Sequence, residues 1–392
     1  MIIDYISEAK TIEEEIIAIR RRFHEYPELG NEEYETSKFI KAYLEELGIE
    51  LQPMPGTAVV GILRGSKPGK TVGFRADMDA LSIQETTCLP FASTIDGKMH
   101  ACGHDVHTAC LLGTAKILSQ HRNEINGNVK FFFQPDEEGW GGAQRMIEAG
   151  CMNNPEVDAV FGFHVDPMVP SGKFAIKAGN LQATSSLFDI TVKGKTTHGA
   201  EPHNGIDPIV VGAQIVMALQ TIPSRRIKPA EPCLITVSEF SCKSGRSTIS
   251  GDAKLSGIHR TFGIKKREEM DKLITEIVTG IAAANGANAE VEIRHGFSGV
   301  INHKNSAKLV EETIIELYGD ECVVEDQVHM GTEDFGYFIE NNEGAFFRLG
   351  TGNAEIGATE PLHSGKFIID EASFAGAMAV SAKIILNYLK GK

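Results

Sequence analysis

Cys102-Gly103-His104, flanked by His100, Asp105 and His107, gathers five metal-ligating or ligand-orienting side chains within eight residues. Thiolate and imidazole together suit a borderline cation such as zinc, held at about 2.0–2.3 Å. Gly103 permits the sharp turn that would aim the two donors at one point. Asp105 is expected to accept the second ring N–H of a ligating histidine, the usual outer-shell arrangement. Three further stretches carry chemistry. Phe131-Phe132-Phe133-Gln134-Pro135-Asp136-Glu137-Glu138-Gly139 is an apolar run ending in three consecutive acids. Two adjacent carboxylates can divide their work, one binding metal and its neighbour moving a proton. Val160 to Asp166 sets His164 near the carboxyl end of a second apolar run, and Pro361-Leu362-His363-Ser364-Gly365 is a turn with a histidine. Cys102, His104, Glu138, His164 and His363 exceed one tetrahedral catalytic site and suit two metals sharing a ligand.

The elements that must position these residues are legible in the periodicity. Residues 5–23 and 33–47 repeat their apolar positions at helical spacing, and the second run stops at Gly48. Strand-like runs follow at 58–63, 71–76, 128–134 and 158–165, several apolar on both faces, as strands covered by helices are. A helix is expected directly behind the Cys-Gly-His turn, and another around 371–389. Strands alternating with helices imply an α/β domain with a largely parallel sheet, whose sites lie at the carboxyl ends of its strands. Gly65-Ser66-Lys67-Pro68-Gly69-Lys70-Thr71 imitates a phosphate loop but is one residue short and precedes a strand, so it reads as a connection. From about 185 the pattern becomes β-α-β-β-α-β, the ferredoxin-like order, complete in itself. The expected organisation is a catalytic domain over 1–184 and 301–392, interrupted by a smaller α+β domain over 185–300.

The net charge, 38 − 53 = −15, argues against nucleic acid or an anionic membrane as partner. Met1 to Arg22 lacks an apolar signal core, and no run reaches the length of a membrane span. Seven scattered cysteines show no disulfide spacing, which favours a reducing, cytoplasmic setting.

Taken together, several stretches resemble the M20 metallopeptidase superfamily, in the branch of aminoacylases, hippurate hydrolases and auxin-conjugate amidohydrolases. They are Phe74 to Leu81, His100 to Asp105, Asp136 to Gly139, Gly162 to Val165, His198 to Pro208, His259 to Phe262, Gly331 to Phe335 and Leu362 to Phe367. The resemblance implies a zinc-exopeptidase-like α/β fold, a mixed and mostly parallel sheet flanked by helices, with an inserted ferredoxin-like lid that also dimerises. It implies two divalent ions per chain (Zn, Mn, Co or Ni), with Cys102 bridging, Glu138 and His363 on one and His104 and His164 on the other. Glu137 would be the general acid/base, with Asp79 and Asp105 supporting the ligands. His198 would reach the partner subunit's site to stabilise the oxyanion, in a homodimer or dimer of dimers. Arg260 would hold the substrate carboxylate, with Ser247 and Gly331 also at the substrate. The activity implied is hydrolysis of N-acyl-L-amino acids, hippurate-like or N-acetyl, by metal-activated water.

Two departures bear on the substrate. Ser247-Thr248-Ile249-Ser250 stands where relatives carry an Asn-x-Ile-Pro stretch, and Ala200-Glu201 follows His198 where relatives have an apolar residue. A dipeptidase of the same fold is the alternative within this class. A cysteine hydrolase built on Cys102 and His104 leaves Glu138, His164 and His363 idle, and a metal-binding scaffold has no need of Glu137.

Overall fold

The computed structural model describes residues 4–139 and 141–391. In chain order it begins with helices α1 (Tyr5–Glu25) and α2 (Tyr34–Glu46), followed by strands β1 (Glu50–Gln52), β2 (Val59–Arg64) and β3 (Lys67–Asp77). Helix α3 (His104–Gln120), β4 (Asn126–Gln134), α4 (Gly142–Glu148), β5 (Ala159–Pro170) and β6 (Phe174–Ile176) come next. A second set follows: β7 (Thr184–Lys193), α5 (Pro208–Leu219), β8 (Leu234–Ser241), β9 (Asp252–Thr261), α6 (Ile264–Ala284) and β10 (Asn288–His295). The chain closes with α7 (Lys304–Tyr318), β11 (Val323–Glu325), β12 (Glu343–Gly352) and α8 (Phe374–Leu389). It divides into two compact units, one built from Met1–Leu181, Ile301–Gln327 and Asp334–Lys392, the other from Gln182–Val300 and Val328–Glu333.

The first unit holds an eight-stranded mixed sheet in the order β1-β2-β4-β3-β5-β12-β6-β11. Its middle, β4-β3-β5-β12, is parallel throughout. The flanking pairs β1-β2, β2-β4 and β12-β6 are antiparallel. Alternation along the central strands puts Phe74, Phe131, Phe133, Phe161, Phe163 and Phe347 in one buried cluster with α1, α3 and α8. Phe132 and Phe346 face the other way, stacked on Phe338 and Phe335. Each fully buried phenylalanine contributes roughly 1.5–3 kcal/mol of apolar burial, so the parallel strands form the most strongly anchored part of the sheet. Helix α1 is capped by Asp4, whose carboxylate accepts from Ser7 N at 3.1 Å. Helix α2 ends as expected at Gly48, which adopts φ +66. The Gly65–Thr71 stretch joins β2 to β3 and enters β3, as a connection.

No run is uncharged and apolar over the length of a membrane span, since Lys383 interrupts the C-terminal helix, yet that helix reaches the looser limit of a helix long and apolar enough to cross a membrane. Glu371–Leu389 meets that test by length and composition, yet 78% of its apolar window is buried inside the protein. A helix surrounded on all sides by core is apolar all round, and composition alone cannot distinguish it from a membrane span.

The second unit is a four-stranded antiparallel sheet in the order β8-β9-β7-β10, with α5 and α6 closing its own apolar cluster around Phe188, Ile190, Val211, Ile215, Leu255 and Ile274. Asp207 caps α5 and Pro208 occupies its first turn, a pairing suited to a helix start.

Candidate metal centre and active site

The donors come from a strand, a helix start and loops of the first unit. His104 is the first residue of α3, and its N-cap Gly103 takes φ +84. A Cβ at Gly103 would lie 2.4 Å from Val165 Cγ2, so both the turn and the close approach require glycine. Glu137 and Glu138 follow β4, His164 lies in β5, and His363 sits in a loop with φ +64. That left-handed conformation is costly for a non-glycine residue and clusters at functional sites. The His363 amide donates to Ala101 O at 2.8 Å, tying its loop to the Cys-Gly-His turn.

Across more than 260 positions of sequence these side chains converge. Cys102, His104 and His164 offer ligand atoms all within 4.8 Å of one another, and so do Cys102, Glu138 and His363. Cys102 is the member common to both triads. Its Sγ is 3.4 Å from His164 Nε2, while His363 Nε2 is 3.1 Å and His104 Nε2 4.0 Å from Glu138 Oε1. Glu137 is buried and belongs to a third such group with His104 and Glu138.

The ring nitrogens not facing the centre are committed elsewhere. His104 Nδ1 donates to Asp79 O at 2.9 Å and lies 3.1 Å from Asp79 Oδ1. Asp79 Oδ2 accepts from the Glu138 amide at 3.0 Å, so one buried aspartate steadies two donors. His164 Nδ1 donates to Val165 O at 2.7 Å. This leaves His104 Nε2 buried with no well-formed hydrogen bond, and gives Glu138 Oε1 only the half-exposed His363 ring at 3.1 Å. Orphaned buried polar atoms are costly, and soft and borderline donors crowded together favour a cation between them. The donor set fits two divalent ions.

The electrostatics agree. Burial alone would lower His104, but Asp77 and Cys102 outweigh it and hold the imidazole well above its ordinary value. Hydrogen bonds to Cys102 and Glu138 raise His363 to about 10. Burial pushes the Cys102 thiol up. The pocket thus draws positive charge inward, as protons or as metal. His164 is the exception: burial first, then His107 and Arg348, keep it well below its ordinary value and therefore a neutral donor.

Two residues of the cluster differ from expectation. Asp105 does not accept from a ligating histidine. It accepts from Arg20 Nε at 2.7 Å and His24 Nδ1 at 2.8 Å, both on α1, because its place in the first turn of α3 faces that helix. Burial, which would raise Asp105, is overcome by Arg20 and His24, which hold it below the usual carboxylate range. His100 is buried and joins no donor group among the described residues, and burial lowers it to about 4.

The remaining predicted residues lie in the second unit and fall into two places. Gly331 O accepts from Ala183 N at 3.1 Å, beside Thr184, which pairs with Thr261 next to Arg260. His198 and Ser247 lie past the opposite end of the sheet, where His198 pairs with Thr248 and Gly199 N donates to Ser247 O at 2.6 Å. Arg260 Nη1 is buried without a hydrogen-bond partner, and burial lowers its affinity for the proton. His198 is exposed. Sequence reading missed Arg20 and His24, and counted His107 as a cluster member and Arg75 as part of a motif without assigning their partners, which are set by contacts across the fold.

The family model for peptidase family M20/M25/M40 matches residues 73–387. The chain belongs to that family. Among its relatives, thermostable carboxypeptidase 1 of Saccharolobus solfataricus is 42% identical over 369 residues, covering 93% of each chain. N-acetylcysteine deacetylase of Bacillus subtilis is 38% identical, covering 97% of this chain and 99% of that one. The crystal structure of the Bacillus subtilis YXEP protein, described as a dinuclear metal-binding peptidase of family M20, superposes with a TM-score of 0.87 at 35% identity, over 97% and 99% of the two chains. The M20 protein described here is a metal-dependent amidohydrolase.

Proposed function

We propose that this M20 enzyme hydrolyses N-acyl-L-amino acids, hippurate-like or N-acetyl, to a carboxylate and a free amino acid. The observation that carries the reading is Cys102 shared between two donor triads with the Glu137 carboxylate alongside. Cys102, His104, Glu138, His164 and His363 would hold two divalent ions, zinc, manganese, cobalt or nickel, which when bound supply Lewis acidity to a carbonyl and to water. Glu137 takes the proton from the attacking water and returns it to the leaving nitrogen. Asp79 fixes the His104 ring and the Glu138 backbone, so neither donor must reorganise during turnover.

Residues 185–300 act in this reading as lid and dimerisation domain. Arg260 grips the substrate's free carboxylate through its paired donors, beside Gly331. His198, with Ser247 next to it, lies past the far end of a strand that runs nine residues from Asp252 to Arg260, about 26 Å at ~3.3 Å per step. One protomer's His198 and Arg260 therefore serve different substrates, and His198 donates to the oxyanion in the partner's site of a homodimer. Seven unpaired cysteines support a reducing, cytoplasmic setting.

A second reading, release of the C-terminal residue from a short peptide, is favoured by the similarity to the thermostable carboxypeptidase. Both substrates carry a free carboxylate next to the scissile amide. The metal-reconstituted protein should be assayed on acetyl, benzoyl and indoleacetyl amino acids, acetyl-diaminopimelate and dipeptides, with amine release as readout. Faster turnover of acyl amino acids than of dipeptides is expected. Full activity in excess chelator would sink both readings.

A further inference from the structure

His107 is buried one turn after His104, and no function so far has used it. Its surroundings define its state completely. Strand β3 pairs with β5 only as far as Arg75 opposite Gly162, so the Val165 amide lies beyond the last strand partner on that side. The His107 ring takes over: Val165 N–H donates to His107 Nε2 at 2.9 Å. A backbone amide can only donate, so Nε2 is the acceptor and the ring proton rides on Nδ1. That Nδ1–H donates to Asp77 Oδ1 at 2.6 Å. Asp77 Oδ2 in turn accepts from Arg75 Nη1 at 2.7 Å, and Arg75 Nη2 donates to Asp334 Oδ1 at 2.9 Å. The imidazole is thus fixed on both nitrogens. Although Asp77, His104 and His107 also bring ligand atoms within 4.8 Å, His107 has no lone pair left for a metal.

Val165 is the residue these contacts converge on. The missing Cβ of Gly103 leaves room for its side chain, His107 holds its amide, and its carbonyl accepts from His164 Nδ1 at 2.7 Å. The last of these leaves His164 Nε2 as the donor facing Cys102 Sγ. We infer that His107 is a positioning residue: by pinning the Val165 amide beyond the end of β3, it holds the backbone that carries the His164 ring and, one atom group further on, the Val165 carbonyl that fixes that ring's tautomer. The reasoning rests on the two-ion reading above. A histidine that merely fills the core would matter for stability alone. A positioning histidine matters for one ion and not the other.

The test is a Co²⁺ titration of the metal-free protein, wild type against His107→Leu and His107→Gln. Dissociation constants come from chelator competition, the cobalt absorption bands report geometry, and thermal unfolding of the metal-free forms reports stability. Wild type should bind two ions. His107→Leu should bind one with wild-type affinity and the other weakened roughly 10- to 100-fold, the range for losing such an outer contact. His107→Gln offers one acceptor and one donor, and should recover most of that loss. Unchanged constants for both ions in His107→Leu would overturn the inference, as would equal weakening of both. If the leucine variant does not fold, His107→Asn, too short to reach both partners, replaces it with the same two outcomes. Failure of the wild type itself to bind Co²⁺ would instead remove the two-ion reading, and the inference with it.

Discussion

The two units handle polar groups in opposite ways. In the first, every candidate donor except His363 is largely buried, and the rings of His104 and His164 are each held by a hydrogen bond on the nitrogen turned away from the centre. In the second, His198 is exposed and Arg260 lies at the other end of the sheet. Burial and fixed tautomers suit groups that must be ready before substrate arrives. Exposed groups on a separate compact unit suit contacts made only on assembly. In the proposed reading, mutations in the first unit should damage chemistry or metal binding within one chain, whereas loss of the exposed His198 in the second should be felt in the partner's site.

The largest effect should come from Glu137→Gln, which keeps shape but cannot take a proton. Turnover should fall by about 10²- to 10⁴-fold, with metal content by elemental analysis near normal. Loss of metal with residual rate would mean that Glu137 and Glu138 have exchanged roles. Next, His198→Ala should lower turnover by on the order of 10²- to 10³-fold, the range for one oxyanion donor, and leave substrate binding nearly intact. Mixing this variant with Glu137→Gln sharpens the contrast between units. Mixed dimers should regain activity at one site, and verified mixed dimers without any recovery would refute action across the interface. Arg260→Ala should raise KM by roughly 10- to 100-fold for substrates with a free carboxylate, as expected for a charged hydrogen bond, and spare esters of the same compounds. An equal effect on the esters would assign Arg260 to structure.

The smallest effect concerns pH and the first unit alone. Burial raises Glu33 to about 7, although Thr57 Oγ1 and the Asp136 amide both donate to its carboxylate. The folded protein therefore keeps a proton that the unfolded chain loses near 4.5. This contribution is full below 4.5, declines as pH rises and is lost through about 7, a change on the order of 3 kcal/mol. Glu33→Gln, which imitates the protonated acid, should flatten that slope in denaturant titrations across the window. A variant with the wild-type slope would show that another group is responsible.

How much of this was legible in the sequence depends on how local each signal is. Helices α1 to α3, the central strands and the β-α-β-β-α-β succession are written in periodicity and turn residues, which act over a few positions. The five donors were recognisable because soft ligands beside apolar runs are unusual. Asp105 misled because adjacency to His104 suggested a partnership, whereas the fold turns its carboxylate toward Arg20 and His24, more than 80 positions away. His107 stood in the cluster and Arg75 in a motif stretch, but nothing local announced their partners. The bond of Arg75 to Asp334 joins residues 259 positions apart, and that of His107 to Val165 arises only where β3 stops pairing with β5. The split between His198 and Arg260 is likewise a matter of register, invisible until β7 and β9 are paired.

The sheet order of the first unit also has a consequence for synthesis. Strand β12 lies between β5 and β6, and α8 packs into the cluster formed by α1 and α3. A growing chain therefore exposes one edge of β5 and the apolar faces of its first helices until residues 343–389 have emerged. The second unit needs little beyond residue 300 to close its own core. On the ribosome the middle of the protein is ready first, and its beginning waits for its end, an interval in which the open strand edge and apolar helix faces are the surfaces a chaperone would meet.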